Sequence, residues 1–195
     1  MLDRGFDCRW VTDLLVIFVT EKIHGNSGPS EWIRAKLESI NHPVKSAIDI
    51  ASGAGRHSVL LSDISSIVIA VDRNPELSSY FVNTSVEFLC VDLEQDDWPL
   101  RDFKFDLVLV SNYLYRPNLG NLLKLVGPGG FLVYETFGIG NERFGRPSNA
   151  EFLLTPNELR DSVGNEFLIV DEFFGEVRDP QPAVRARLFA RRVNL

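Results

Sequence analysis

The chain has little of what binds metals, crosslinks or crosses membranes. Its two cysteines, Cys8 and Cys90, stand far apart in 195 residues, so neither a disulfide framework nor a Cys/His zinc spacing can be assembled from them. Its three histidines, His24, His42 and His57, lack the spacing of a helical ligand pair, and no protein-held metal is expected. Basic residues are outnumbered, 20 Lys and Arg against 27 Asp and Glu, for a net charge of −7. Binding to nucleic acid rests on many cationic contacts that release counterions, so nucleic acid is not the expected partner. The apolar run Leu14–Val19 is too short to span a bilayer, and the start around Asp3 and Arg4 does not read as a signal peptide. A cytoplasmic location without membrane contact is the expectation, and oligomeric state is left open.

What the sequence has is an alternation of short apolar runs with helical stretches. Ser30 opens a helix carried by Trp32, Ile33, Leu37 and Ile40, which Asn41-His-Pro43 ends. Strands are expected at 46–51, 66–72, 86–91, 105–111 and 131–136, with helices from Arg56, from Pro75 and near 118–126 between them. Runs such as Ile67–Val71 and Asp106–Val110 are apolar almost throughout, as expected of parallel strands covered on both faces. Two final strands, 167–174 and 183–191, have no helix between them and should pair antiparallel. The fold class is therefore α/β: a Rossmann-like, doubly wound sheet of seven strands, mostly parallel with an antiparallel C-terminal strand. Residues 1–28 read as an N-terminal accessory segment and 29–195 as the one domain.

Three strand ends carry candidate chemistry. The stretch Ile48-Asp-Ile-Ala-Ser-Gly-Ala-Gly-Arg-His-Ser58 runs from a strand through a small-residue turn into a helix start, which lets backbone approach a ligand closely; a plain turn would also require Gly53 and Gly55. Asp72 closes the next strand 19 residues beyond Gly53, the spacing of a carboxylate that accepts two ribose hydroxyls, or else caps the following helix. Cys90-Val-Asp-Leu93 closes the third strand, where Asp92 and the amide of Leu93 suit the edge of an adenine or simply begin an acidic turn.

Together these residues resemble the class I S-adenosylmethionine-dependent methyltransferases, from about Trp32 to the C-terminus. The resemblance implies a cofactor, S-adenosyl-L-methionine, held by Asp49, Ala51, Gly53 and Gly55 around its methionine part, by Asp72 and Arg73 at the ribose, and by Asp92 and Leu93 at the adenine. Ala51 stands where the family commonly has its first glycine. Phe105–Tyr113 resembles the fourth-strand motif, so Ser111 falls beside the cofactor, and Gly127-Pro-Gly-Gly130 resembles the turn before the fifth strand. The stretch Tyr134–Asn149 is similar to small bacterial members distantly like tellurite-resistance methyltransferases. The implied activity is methyl transfer to a small acceptor, with Tyr113, Asn112 and Tyr115 as the catalytic candidates after the fourth strand. Asn141, Arg143 and Arg146 in the loop 138–150 are the acceptor-binding candidates, and the two arginines suggest an anionic acceptor. Arg178, Arg185, Arg187, Arg191 and Arg192 read as decoration of exposed strand faces. The alternatives are an NAD(P)-dependent oxidoreductase, whose third fingerprint glycine would fall at Ser58, and a module that binds S-adenosylmethionine without turnover.

Overall fold

The computed structural model describes residues 28–194. The accessory segment, with Cys8 and His24, lies outside the described residues but for Gly28. The first described helix, α1 (Glu31–Glu38), begins where the Ser30 hydroxyl accepts the Ile33 amide, and it buries Ile33 and Leu37. Seven strands follow: β1 (Val44–Ile50), β2 (Ser65–Asp72), β3 (Val86–Cys90), β4 (Phe105–Ser111), β5 (Val126–Phe137), β6 (Phe167–Val177) and β7 (Ala183–Arg192). They form one sheet in the order β3-β2-β1-β4-β5-β7-β6. Strands β1 to β5 pair in parallel, while β7 runs antiparallel to both β5 and β6.

Burial explains the apolar runs. Leu107 and Leu109 of β4 pack with Ile33, Leu37, Ala47, Leu61 and Val133 on one face of the sheet. Val108 and Val110 pack on the other face with Ile48, Ile50, Leu122, Leu159 and Leu188. A strand buried on both sides has no polar position to alternate with.

The helices are shorter than the sequence suggests. The helix expected from Arg56 is α2 (Ser58–Ser62), and the one expected from Pro75 is a 3-10 turn (Pro75–Tyr80) capped by Asn74, whose Oδ1 accepts the Glu76 amide. Helix α3 spans Leu119–Lys124, and α4 spans Glu158–Val163. Ahead of α4 the Glu158 carboxylate reaches back to the Thr155 amide and hydroxyl, at 2.9 and 3.0 Å, while also pairing with Arg116.

The Gly127-Pro-Gly-Gly130 stretch does not precede β5 but lies within it, at an irregularity opposite β4. A side chain on Gly130 would stand 3.0 Å from the carbonyl oxygens of Phe105, Asp106 and Gly127, so the close approach there requires glycine.

Candidate active site

Strand order reverses between β1 and β4, which opens a crevice beyond their carboxyl ends. The loop after β1 enters it with three residues of positive φ: Ala51 at 53°, Gly53 at 56° and Gly55 at 80°. Gly55 is a packing glycine, because a Cβ there would meet the Phe81 ring at 2.5 Å. The Gly53 amide donates to Asp72 Oδ2 at 3.0 Å, and the Asn74 amide donates to Asp72 Oδ1 at 3.0 Å. Asp72 thus ties the glycine loop to its own turn, while Asn74 caps the 3-10 turn. Each carboxylate oxygen keeps a lone pair for a hydroxyl.

Ala51 sits where an L side chain is strained by roughly 1–2 kcal/mol. Ala51→Gly should therefore raise the unfolding free energy by about 0.5–1 kcal/mol, after the greater backbone entropy of glycine is discounted. Urea denaturation checks this, and a destabilised variant would show that the methyl group contributes more than its strain.

Three connected spaces line the crevice. The first, about 140 Å³, is walled by Ala51, Asp72, Arg73, Val91, Asp92, Leu93, Glu94 and Tyr113. The second, about 270 Å³, continues from Ala51 to Asp49, Ser52, Gly53, Arg56, His57, Ser111 and Asn112. The third, also about 270 Å³, shares Asn112, Tyr113 and Glu94 with the others and adds Leu114, Thr136, Phe137, Pro147 and Phe152. The three strand-end acids Asp49, Asp72 and Asp92 are thus brought to one crescent.

Asp49 lies under the loop, buried, with the Ser58 hydroxyl donating to its Oδ2 at 2.6 Å. Burial pushes its pKa up to about 7, against the opposing pull of the Ser58 hydrogen bond and of Arg56. Arg56 reaches the Ser111 hydroxyl and the Gly28 carbonyl, each at 3.4 Å, and burial lowers its pKa. At the other end Asp92 Oδ1 accepts the Glu94 amide at 2.9 Å, and Leu93 turns into the core. Arg73 is exposed and 3.6 Å from Glu94.

Tyr113 stands between the first and third spaces. Its hydroxyl is buried and has no hydrogen-bond partner among the described residues, and its backbone carbonyl accepts the Tyr134 hydroxyl at 2.8 Å. Burial, then the charges of Glu94 and Asp92, raise its pKa, so Tyr113 is a neutral phenol rather than a base. Asn112, at a φ of 55°, donates its amide to the Glu135 carbonyl and accepts from Arg185. Tyr115 is half-buried and lines none of the three spaces.

The loop candidates stand elsewhere. Asn141 is buried, its Oδ1 accepting the Val184 amide and its Nδ2 donating to the Pro147 carbonyl, which pins the loop rather than facing a ligand. Arg143 pairs with Glu176 at 2.9 Å and donates to the Gly140 carbonyl. Arg146 is exposed; its neighbour Pro147, not Arg146, lines the third space.

The strand arginines are not surface decoration as a group. Register places Arg187 opposite Glu135 and Arg185 opposite Phe137. The first pair is an ion pair at 2.6 Å with Glu135 buried. In the second the guanidinium lies 4.0 Å from the Phe137 ring centroid. Arg191 and Arg192 donate to the carbonyls of Gly129 and Val126, and Arg178 is exposed. Arg56 lines the second space although the sequence reading assigned it no role, and Arg185, expected on an exposed strand face, instead contacts Asn112 and Phe137 of the third. Arg56 had a local signal, directly after the Gly-Ala-Gly turn. Among the described residues no group of three or more His, Cys, Asp or Glu is placed to hold a metal ion.

The strand order is that of a fold shared with solved S-adenosylmethionine-dependent methyltransferases. Residues 48–133 match the family model described as a methyltransferase domain. Among solved structures it is similar to TehB from Haemophilus influenzae, with a TM-score of 0.68 at 16% identity over 86% of this chain and 64% of TehB. It therefore spans just under two thirds of that protein. It is also similar to an S-adenosylmethionine-dependent methyltransferase from Clostridium acetobutylicum, with a TM-score of 0.65 at 13% identity over 95% and 100% of the two chains. A third is the N-methyltransferase NodS from Bradyrhizobium japonicum, in complex with S-adenosyl-L-homocysteine, with a TM-score of 0.62 at 18% identity over 86% and 89%. At these identities the likeness is one of fold. No curated protein matches the sequence.

Proposed function

We propose that this protein transfers the methyl group of S-adenosylmethionine to a small acceptor. The observation that carries the reading is the convergence of Asp49, Asp72 and Asp92 on one crescent, with the Gly53 amide tied to Asp72. The donor set suits the cofactor. Asp72 has lone pairs for two ribose hydroxyls, Asp92 an acceptor for an adenine amine, and Arg56 a guanidinium for the methionine carboxylate, with Ser111 beside it. Bound there, the cofactor supplies a sulfonium-activated methyl group whose departure leaves a neutral thioether. The chain's own part is alignment and exclusion of water by Tyr113, Asn112 and the walls of the third space. Tyr113 takes no proton.

One observation weighs against the dinucleotide reading. Ser58, at the third fingerprint position, has its side chain buried and bonded to Asp49, where that fold uses glycine to bring helix and strand together.

Asp72→Ala tests the proposal. The loss of a charged acceptor should weaken binding of S-adenosylhomocysteine by about 1.5–3 kcal/mol, roughly 10- to 150-fold, with the fold retained. Wild-type affinity in a folded variant would reduce Asp72 to a loop clamp and remove the ribose assignment.

A further inference from the structure

The third space is the part of the crescent that the cofactor reading leaves for the acceptor, and its walls are unequal. Leu114, Phe137, Pro147 and Phe152 make it mostly apolar. The titratable side chains that line it are Tyr113, whose phenol stays protonated, and Glu94, which is exposed and 3.6 Å from Arg73. Such a wall offers little to deprotonate a hydroxyl or an amide, so an acceptor that enters already ionised suits it best.

A cation waits at its edge. Arg185 touches two of the lining residues: its Nη1 donates to Asn112 Oδ1 at 2.6 Å, and its guanidinium covers the Phe137 ring. Its Nε and Nη2 donors make no hydrogen bond among the described residues. Burial lowers the pKa of Arg185 against the pull of Glu135, which gives its ion pair to Arg187, and the charges of Arg187 and Arg56 add to the lowering. Arg185 is half-buried and forms no ion pair among the described residues, in contrast to Arg116, Arg143, Arg187 and Arg192. A guanidinium withdrawn from water without a counter-ion is unfavourable, and a bound anion relieves it.

We infer that Arg185 is the anion receptor of the acceptor site, and that the acceptor is a small carboxylate with an apolar body. The inference rests on the methyltransferase reading and deepens it. One carboxylate oxygen takes the free guanidinium donors while the other attacks. Its lone pair forms the new bond to the methyl carbon as the C–S bonding pair passes to sulfur. The products are a neutral methyl ester and a neutral thioether, so charge balances and no proton moves. The apolar remainder packs against Phe137 and Phe152.

The test uses the full chain loaded with S-adenosylhomocysteine, titrated with phenylacetate and with phenylacetamide, a neutral probe of the same shape. Phenylacetate should bind at least about tenfold more tightly, as a charged contact with a partly buried guanidinium requires. Arg185→Gln should bring the two probes within about twofold, and Arg185→Lys should keep part of the preference. With S-adenosylmethionine in place of the product, methyl phenylacetate should accumulate. Equal binding of both probes, binding of neither, or an undiminished preference in the Gln variant would overturn the inference. So would methylation of phenethylamine or phenethyl alcohol in place of the acid. Failure of the unaltered protein to bind S-adenosylhomocysteine would instead overturn the cofactor reading.

Discussion

Glu135→Ala is expected to lower the unfolding free energy by about 3–5 kcal/mol, the usual result of leaving a buried partner uncompensated. Glu135 is 2% exposed, and Arg187, paired to it at 2.6 Å, is itself mostly covered. The same carboxylate also favours the charged forms of Arg56 and Arg185. Its removal strands positive charge in a region that water cannot fully reach. Glu135→Gln, which keeps an acceptor for the guanidinium, should fall between wild type and Ala. Urea denaturation with an unchanged m-value reads the effect. A loss below about 1 kcal/mol would mean that Arg187 finds water or another partner.

Asp49→Asn should act in the opposite sense. The folded pKa of Asp49 is raised from 3.8 to about 7, chiefly by burial, so between those values the folded state keeps a proton that the unfolded state has lost. Stability from this group is complete below about pH 4, declines as pH rises through 7, and is then constant. The full span is about 4 kcal/mol at most. Asparagine stays neutral at every pH and can still accept the Ser58 hydroxyl, so the variant should be more stable than wild type at pH 8. The two should converge near pH 4. Paired urea titrations across that range decide it: a variant less stable at pH 8 would show that the Asp49 charge, with Arg56 and Ser58, is a net support to the fold. Glu135 and Asp49 are both buried carboxylates, on strands that flank β4, and the ion pair to Arg187 is what separates their expected behaviour.

The sheet was readable because its central strands are buried on both faces, which writes a continuous apolar run into the sequence at β4; β2 carries a similar run, although Ile67 near its start is exposed. Among the candidate acids, Asp72 closes β2, Asp49 interrupts the apolar end of β1, and Asp92 lies two residues beyond β3, and each stood out against its apolar neighbours. Helix lengths were less legible: Pro75–Tyr80 has helical composition, yet it forms a single 3-10 stretch before Phe81 turns in under Gly55. The arginines were misread for a physical reason. Whether Arg185 and Arg187 face water depends on what β5 places opposite them, and an antiparallel register between strands some fifty residues apart leaves no local pattern. The loop 138–150 shows the converse. Its Asn and Arg content suggested acceptor binding, but Asn141 bridges Val184 and Pro147, and Gly138 bridges Leu154, so the loop is stitched to the body of the fold.

Whether the crescent binds S-adenosylmethionine is decided by isothermal titration of the unaltered protein with S-adenosylhomocysteine. One site of roughly micromolar affinity, near −8 kcal/mol, is expected, with no measurable heat from NADH. Tight NADH binding with no response to S-adenosylhomocysteine would contradict the cofactor reading.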